Sequence, residues 1–336
     1  MSMYEQPLLT IAIPTYNGAK TIGNMLDLLL PQVDERVEVL IVDNCSIDET
    51  PILIEKYKAH YPKIRVIRNE ENIGPDRNFL KAYQSSHGKF ILLLSDDDIF
   101  VENALPGVLA FLENHSDICL AFLETVGFHV QYHGVKHCLH PGKEIEESFT
   151  TTDKKRFMHY AAHYWGFMSS FICAKDRFDS IVSAEQFYGT YWLQSYIHIL
   201  CSQGDDALLG VIKGPCIGAG TYMNVANFDT SLVDGQYYRA MLDFAIERAG
   251  YDKKQLNKMY IRRLCLLGKR AVMKERASGI RKTNVSRLFE LTKKYPRAYW
   301  DLYPFLLIPS PICKVIFRSY RKYRKASGMV RINRPE

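Results

Sequence analysis

The chain has 336 residues, 47% of them hydrophobic and 12% aromatic, which supplies a sizeable core and excludes an intrinsically disordered protein. Its eight cysteines lie at least 15 positions apart, which excludes zinc or redox sites of the CxxC type. The net charge of +6 is unevenly distributed, because residues 1–260 hold 23 Lys and Arg against 33 Asp and Glu, whereas residues 261–336 hold 20 against 4. The basic C-terminal part indicates a polyanionic partner, either anionic lipid or nucleic acid.

Short apolar runs alternate with helical patterns over the first 125 residues. Strands are predicted at 8–13, 37–42, 64–68, 90–94 and 118–123, and helices at 19–30, 50–60, 75–86 and from 106 on. This alternation is typical of right-handed βαβ units, so we predict an α/β fold with a mainly parallel sheet flanked by helices. Ligands of such sheets bind beyond the carboxyl ends of the strands.

The later part of the chain has a different pattern. One further strand is predicted at 167–175, and helices are predicted at 232–248, 253–274 and 284–295. We therefore expect a catalytic domain over residues 1–230 and a helical, basic extension over residues 231–336. A membrane span requires about 18 uninterrupted apolar residues. Residues 299–317 come closest, but Asp301 and three prolines interrupt them.

Three adjacent aspartates, Asp96, Asp97 and Asp98, follow the strand predicted at 90–94. Carboxylates at such short spacing repel one another. A divalent cation such as Mg²⁺ or Mn²⁺ offsets this repulsion, since it prefers oxygen ligands and often shares them with substrate phosphates. A solvated acidic turn that caps the next helix is the alternative.

Polar clusters also follow the first two strands. The turn after the first strand brings its backbone close enough to contact a flat base, with Tyr16 as a stacking face. At the end of the second strand, Asp43 is placed to accept a hydrogen bond from a base N–H or a ribose hydroxyl. An ordinary turn, or helix capping by Ser46 and Asp48, explains each cluster equally well when it is taken alone.

A third cluster opens the helix predicted at 75–86. Asn72 precedes this helix and Arg77 lies in its first turn, where a guanidinium and the helix N-terminus favour a phosphate. All these clusters are expected at one edge of the sheet.

In order, the segments PTYNGAKTI, IVDNCSIDET, NEENIGPDRNF and LLLSDDDIF closely resemble the motifs of the inverting family 2 glycosyltransferases. The resemblance is strong over residues 7–125 and loose over 165–205. It implies the GT-A fold, a nucleotide-diphosphate sugar as donor, a glycan acceptor in cell-surface polysaccharide synthesis, and Mn²⁺ or Mg²⁺ as cofactor.

The resemblance also implies roles for individual residues. The residues that it implies bind the nucleotide sugar are Pro14, Thr15, Tyr16, Asn17, Asp43, Asp48, Asn72, Arg77 and Asp96. The aspartates correspond to the DXD element of the family, with Asp97 and Asp98 as metal ligands. Ser95 stands where the family often has its first acid, which leaves the ribose contact open.

The catalytic base and the acceptor site are less well defined. The family usually places a carboxylate where this sequence has residues 187–194, and that segment contains no acid. Glu185 and His198 are the nearest candidates for the base, with Asp205 and Asp206 further along the chain. For His198 the alternative is a structural histidine. Trp165 and Trp192 are expected to stack on an acceptor sugar, with core packing as the alternative.

The basic tail predicts a membrane-surface site. Six basic residues follow the interrupted apolar stretch: Lys314, Arg318, Arg321, Lys322, Arg324 and Lys325. Such residues attract anionic lipid, so we expect a cytoplasmic protein attached peripherally to the cytoplasmic face of a membrane, with a lipid-linked glycan as acceptor. A solvated basic helix is the alternative, and a nucleic-acid partner is not expected.

Two other functions compete with sugar transfer. A sugar-1-phosphate nucleotidyltransferase would carry a glycine-rich, basic loop after its first strand, and the segment PTYNGAK lacks one. A pseudoenzyme that binds carbohydrate or lipid stays open, because no acid occupies residues 187–194.

Overall fold

The structure, a computed structural model, describes residues 6–128, 145–220, 229, 231–278 and 284–326. These residues fall into two compact units. The first comprises residues 6–128, 145–220 and 247–251, and the second comprises the other described residues from 229 on. As a functional division, the boundary expected at residue 230 stays a prediction.

The first unit is built on one sheet. Its nine described strands are β1 (Leu9–Thr15), β2 (Val37–Asp43), β3 (Arg65–Arg68), β4 (Phe90–Leu93), β5 (Ile99–Phe100), β6 (Leu120–Phe128), β7 (Phe149–Thr151), β8 (Phe171–Ala174) and β9 (Leu209–Gly220). Its helices are α1 (Ile22–Leu29), α2 (Thr50–His60), α3 (Pro75–Gln84), α4 (Leu105–Asn114), α5 (Lys154–Ala161), α6 (Lys175–Asp179) and α7 (Leu193–Cys201). Every element predicted in the first 125 residues is present, with slightly shifted ends.

The strand order is β3-β2-β1-β4-β8-β6-β9-β5, and β7 pairs with β9. The strands β3, β2, β1 and β4 are parallel, as predicted. The other half is mixed, because β8 runs antiparallel between β4 and β6, and β9 pairs parallel with β6 but antiparallel with β5 and β7. The fold is α/β as expected, with a sheet that is parallel only in its first half.

The strands β1 and β4 are buried on both faces, which explains their continuous apolar runs. All seven residues of β1 and all four of β4 are buried. Helix α1 contributes Ile22, Met25, Leu26 and Leu29, which recur at helical spacing and form one buried face.

The strand register places the polar clusters side by side. Thr15, the last residue of β1, pairs with Asp43 at the end of β2, and Asp43 pairs with Arg68 at the end of β3. On the other side of β1, Leu94 N donates to Ala12 O, so the chain leaves β4 at the same edge. The predicted meeting of the motifs at the carboxyl edge therefore follows from the pairing.

The second unit is helical in the part that the structure describes. A π-helical turn over Ser231–Tyr237 leads into the helices α8 (Tyr238–Ala249), α9 (Lys253–Ser278), α10 (Val285–Lys293), α11 (Pro296–Leu307) and α12 (Ser310–Ala326). The three predicted helices are confirmed, and the proline-interrupted stretch forms the last two. Among the described residues, no helix combines the length and apolar character of a membrane span.

Candidate active site

The turn after β1 is fixed to the loop after β2. Asn17 adopts a left-handed conformation, with φ at 55°. Its backbone N–H donates to Ser46 Oγ at 2.9 Å, and its side-chain oxygen accepts from Ile47 N at 2.9 Å. Tyr16 stays 45% exposed on this turn, so its ring is available for the stacking that the sequence predicts.

Asp43 lies buried at the end of β2, where two groups hold its carboxylate. Ser46 N donates to Oδ1 at 2.9 Å, and Arg68 Nη1 donates to Oδ2 at 2.6 Å. Arg68 also donates from Nη2 to Ser46 O at 2.8 Å. A carboxylate has about four acceptor sites, so these contacts leave capacity for a base N–H. Arg68 was not among the predicted site residues, although its position at the end of β3 was a signal.

Asn72 belongs to a network that ties the loop after β3 to the loop after β2. Its Oδ1 accepts from Asn44 Nδ2 at 2.8 Å and from Gly74 N at 2.9 Å. Asn69 Nδ2 donates to Asn44 Oδ1 and to Asn78 Oδ1, each at 2.9 Å. Asn72 is therefore engaged in shaping the crevice.

Asp48 holds the start of α2 against the first turn. Its Oδ1 accepts from Thr50 N at 3.0 Å, and its Oδ2 accepts from Ala19 N at 3.2 Å. Burial raises the pKa of Asp48, but the hydrogen bonds from Thr50 and Ala19 outweigh it and leave that pKa lowered. The capping role that the sequence left open is therefore present.

Asp96 and Asp98 are tied into the protein, each by a hydroxyl group. Thr15 Oγ1 donates to Asp96 Oδ2 in a short hydrogen bond. Ser169 Oγ donates to Asp98 Oδ2 at 2.6 Å, and Gly220 N donates to Asp98 Oδ1 at 2.8 Å. Burial, together with the charge of Asp97, raises the pKa of Asp96 to about 6 and that of Asp98 to about 8.

Asp97, the middle carboxylate of the triplet, is one of the two predicted metal ligands. It is half-buried, and Ser95 Oγ donates to its Oδ1 at 2.6 Å. Among the described residues, no three His, Cys, Asp or Glu side chains converge as a metal site. A divalent cation nevertheless fits the chemistry here, because it offsets the repulsion that raises the neighbouring pKa values and completes its shell with diphosphate and water oxygens. Asp98, predicted as a second ligand, has both oxygens hydrogen-bonded inside the protein.

Two glycines let the backbone approach this corner. A Cβ atom on Gly18 would lie 2.1 Å from Asp96 Oδ2, and one on Gly220 would lie 2.1 Å from Asp97 O. Both distances are well below van der Waals contact, so only glycine fits without rearrangement. Neither Gly220 nor Ser169 was predicted as part of the site, because Gly220 ends β9 and Ser169 lies in the 3-10 turn before β8, and the sequence does not reveal how these later elements pair.

The N-terminus of α3 meets the loop formed by residues 188–192. The guanidinium of Arg77 lies over the ring of Tyr188, 5.1 Å from its centroid. The carboxylate of its neighbour Asp76 accepts from Gly189 N at 2.7 Å and from Tyr191 N at 3.3 Å. Arg77, expected to hold a phosphate, is thus stacked on an aromatic ring here.

The two predicted acceptor tryptophans are buried. Trp165 is 3% exposed and packs edge-on against Phe171 and Tyr251, with centroids 5.7 and 5.1 Å away. Trp192 is 7% exposed and lies against Gly166. These environments fit the core-packing alternative. Tyr191, in contrast, is 45% exposed.

The two predicted bases lie in opposite environments. His198 is buried on α7, with Nε2 3.0 Å from Tyr83 OH and its ring 5.1 Å from that of Phe171. Burial lowers the pKa of His198 to about 3, so the ring is neutral and fits the structural alternative. Glu185 is exposed on a 3-10 turn over Ala184–Phe187.

The sheet and the polar clusters at its carboxyl edge define an α/β domain of the kind whose ligands bind beyond the ends of the strands. The model of the family described as glycosyl transferase family 2 matches residues 10–177, which is half of the chain. The protein therefore belongs to this family.

Several relatives and solved structures are similar to the chain. The abequosyltransferase RfbV of Salmonella typhimurium is 26% identical over 218 residues, covering 62% of this chain and 66% of the relative. The poly(ribitol-phosphate) beta-N-acetylglucosaminyltransferase TarS of Staphylococcus aureus is 33% identical over 121 residues, covering 35% of this chain and 21% of TarS. The chain thus spans less than two thirds of the length of either relative.

A crystal structure of S. aureus TarS residues 1–349 in complex with UDP-GlcNAc aligns with a TM-score of 0.60 at 17% identity. The alignment covers 94% of this chain and 91% of that chain. At this identity the likeness concerns the fold, and it confirms the predicted GT-A type of α/β architecture.

Proposed function

We propose that this protein transfers a sugar from a nucleotide-diphosphate sugar to a glycan acceptor, with inversion at the anomeric carbon and with a divalent cation. The observation that carries the proposal is the hydrogen-bonded edge formed by Asp43, Thr15 and Asp96. It joins a buried carboxylate suited to bind a nucleobase with an acidic corner suited to bind a cation and a diphosphate. The family membership and the named activities of the relatives support it.

The donor would lie along this edge. Asp43 and Arg68 together offer an acceptor and a donor for the edge of the base, and Tyr16 offers a ring for its face. Asn17 fixes the turn that carries Tyr16, and Pro14 lies two residues before Tyr16 in β1. Asp97 would hold Mn²⁺ or Mg²⁺, which supplies charge stabilisation for the departing diphosphate when bound. Asp96 and Asp98, tied by Thr15 and Ser169, keep the corner rigid around it.

The acceptor is proposed as a glycan of the cell surface. The names of two relatives support this: TarS is a poly(ribitol-phosphate) beta-N-acetylglucosaminyltransferase, and GgaA of Bacillus subtilis is a minor teichoic acid biosynthesis protein. A lipid-linked form of the acceptor would require the enzyme to work at a membrane surface.

Helix α12 supplies a surface suited to that location. The side chains of Ile312, Val315 and Ile316 are exposed on it, and so are those of Lys314 and Arg318. Apolar side chains that dip into an interface beside basic ones that meet anionic lipid are typical of peripheral helices. The other four basic side chains of the predicted site, Arg321 to Lys325, lie outside the described side chains. We propose peripheral attachment to the cytoplasmic face.

The proposed donor is tested by thermal stabilisation. UDP, GDP, CDP and dTDP would be screened with and without Mn²⁺, and the melting temperature of the protein would be recorded. At least one diphosphate is expected to raise Tm more with Mn²⁺ than without it. If none of them, nor any matching nucleotide sugar, changes Tm or binds in calorimetry, the proposal fails.

A further inference from the structure

The family usually carries an acid in the loop that corresponds to residues 187–194. In this protein, a carboxylate from another element contacts that loop. Residues 187–194 contain no Asp or Glu. The carboxylate of Asp76, in the first turn of α3, lies against this loop and accepts hydrogen bonds from Gly189 N at 2.7 Å and from Tyr191 N at 3.3 Å. A carboxylate therefore lies beside the loop, although the sequence of the loop contains none.

One oxygen of this carboxylate has no partner. Asp76 is only 6% exposed, and both backbone contacts go to Oδ2, so Oδ1 is buried without a hydrogen bond among the described residues. An unsatisfied buried carboxylate oxygen costs more than a neutral one, and such a group in a native structure calls for a functional explanation. Contact with the substrate is such an explanation, because the hydroxyl of an acceptor would donate a hydrogen bond to Oδ1.

The position of Asp76 links the two ends of the site. On one side, Asn78 in the same turn donates from Nδ2 to Val42 O, directly before Asp43. On the other side, Trp192 lies against Gly166, and the chain continues from there to Ser169, which holds Asp98. Through these contacts, the surroundings of Asp76 are connected both to the end of the site proposed to bind the nucleobase and to the acidic corner.

We propose that Asp76 is the general base of the transfer, an assignment that rests on the proposed function. Its Oδ1 takes the proton of the acceptor hydroxyl while the oxygen of that hydroxyl forms a bond to the anomeric carbon of the donor. The bond between that carbon and the diphosphate oxygen breaks, and its electron pair leaves with the nucleoside diphosphate. The groups around Oδ1 have to shift as the acceptor arrives, because this oxygen is buried in the structure.

The electrostatics of Asp76 agree with this role. Burial raises its pKa, against the lowering effect of the N–H groups of residues 189–191, and a raised pKa makes the carboxylate a stronger base. The charged and titratable groups nearby are Arg77, Tyr188 and Glu185.

The substitution Asp76→Asn tests the proposed proton transfer while it keeps the structural hydrogen bonds of the side chain. The amide oxygen of Asn accepts the same two backbone hydrogen bonds, but the amide does not take a proton. We expect kcat/KM for transfer to fall by about 100-fold or more, with the affinity for the nucleotide diphosphate within about twofold of the parent. In Asp76→Ala, formate or azide is expected to restore part of the rate. The matched control is Asp176→Asn, an exposed acid in the first turn of α6, which should keep the parental rate.

The outcomes separate this proposal from the one on which it rests. If the parent transfers sugar and Asp76→Asn stays within about threefold of it, Asp76 is not the base, while the proposed function stands. The same conclusion follows if Glu185→Gln, and not Asp76→Asn, abolishes transfer. If the parent binds no nucleotide diphosphate or nucleotide sugar, the function itself is wrong and the assignment falls with it.

Discussion

Arg68 Nη1 lies 2.6 Å from Asp43 Oδ2, and the two residues are register partners at the ends of β3 and β2. Only 2% of the Asp43 side chain is exposed, against 44% of that of Arg68. The guanidinium thus neutralises a buried carboxylate and still faces the crevice. We propose that this pair binds the nucleobase of the donor, since it offers both a hydrogen-bond donor and an acceptor.

Replacing Arg68 by Ala is expected to weaken nucleotide diphosphate binding by about tenfold or more, because it removes a charge-assisted donor at the base-binding end. Arg65→Ala is the matched control. Arg65 lies at the other end of the same strand and pairs with Glu38 at 2.9 Å. Both substitutions should lower the free energy of unfolding, since each leaves a largely buried carboxylate without its partner. Calorimetry would contradict the assignment if both variants bound the nucleotide equally well.

The sequence predicted the parallel half of the fold because each of its strands is a continuous apolar run that ends in a distinctive polar cluster. It did not predict Ser169 or Gly220, since these reach Asp98 from the 3-10 turn before β8 and from the end of β9, both far from Asp98 along the chain. Asp76 was overlooked for a similar reason: its contact with Gly189 spans 113 residues.

Asp97→Asn is expected to abolish the part of the thermal stabilisation that requires Mn²⁺ together with a nucleotide diphosphate. The charge that would hold the cation is lost, whereas the amide keeps the size of the side chain. Asp117→Asn, an exposed acid just before β6, should leave the Mn²⁺-dependent rise in Tm unchanged. An unaltered Mn²⁺ effect in Asp97→Asn would show that the cation lies elsewhere.

His198 makes stability depend on pH. Its pKa of about 3 in the folded protein lies below the ordinary value of 6.5, so the unfolded chain binds a proton between these values that the folded protein does not. The free energy of unfolding should therefore fall as pH drops below 6.5, with a contribution from His198 of up to about 1.4 kcal/mol per pH unit.

The substitution His198→Gln tests this effect, because glutamine keeps a hydrogen-bonding group near Tyr83 but does not titrate in this range. Denaturant unfolding at several pH values from 5 to 8 would give the slope for each protein. The variant is expected to lose less stability per pH unit below 6.5 than the parent. Equal slopes would mean that His198 is protonated in the folded state.

The apolar side chains of α12 are expected to contribute to membrane attachment. The double substitution Val315→Asp and Ile316→Asp adds two negative charges and removes two exposed apolar side chains. It should reduce sedimentation with vesicles of phosphatidylserine and phosphatidylcholine. Val182→Asp, which changes an 83% exposed side chain of the first unit, is the control. If the double variant sediments with vesicles as the parent does, the apolar side chains of α12 do not contribute to membrane attachment.

The release of nucleoside diphosphate from a nucleotide sugar tests the central claim most directly. The protein would be incubated with the donor found by thermal stabilisation, with Mn²⁺, and with or without a cell-surface glycan acceptor, and the products would be separated by chromatography. Sugar transfer predicts that nucleoside diphosphate and an extended glycan accumulate in equal amounts, and that both depend on the acceptor. Formation of nucleoside triphosphate and sugar 1-phosphate from the donor and pyrophosphate, with no extended glycan, would contradict it.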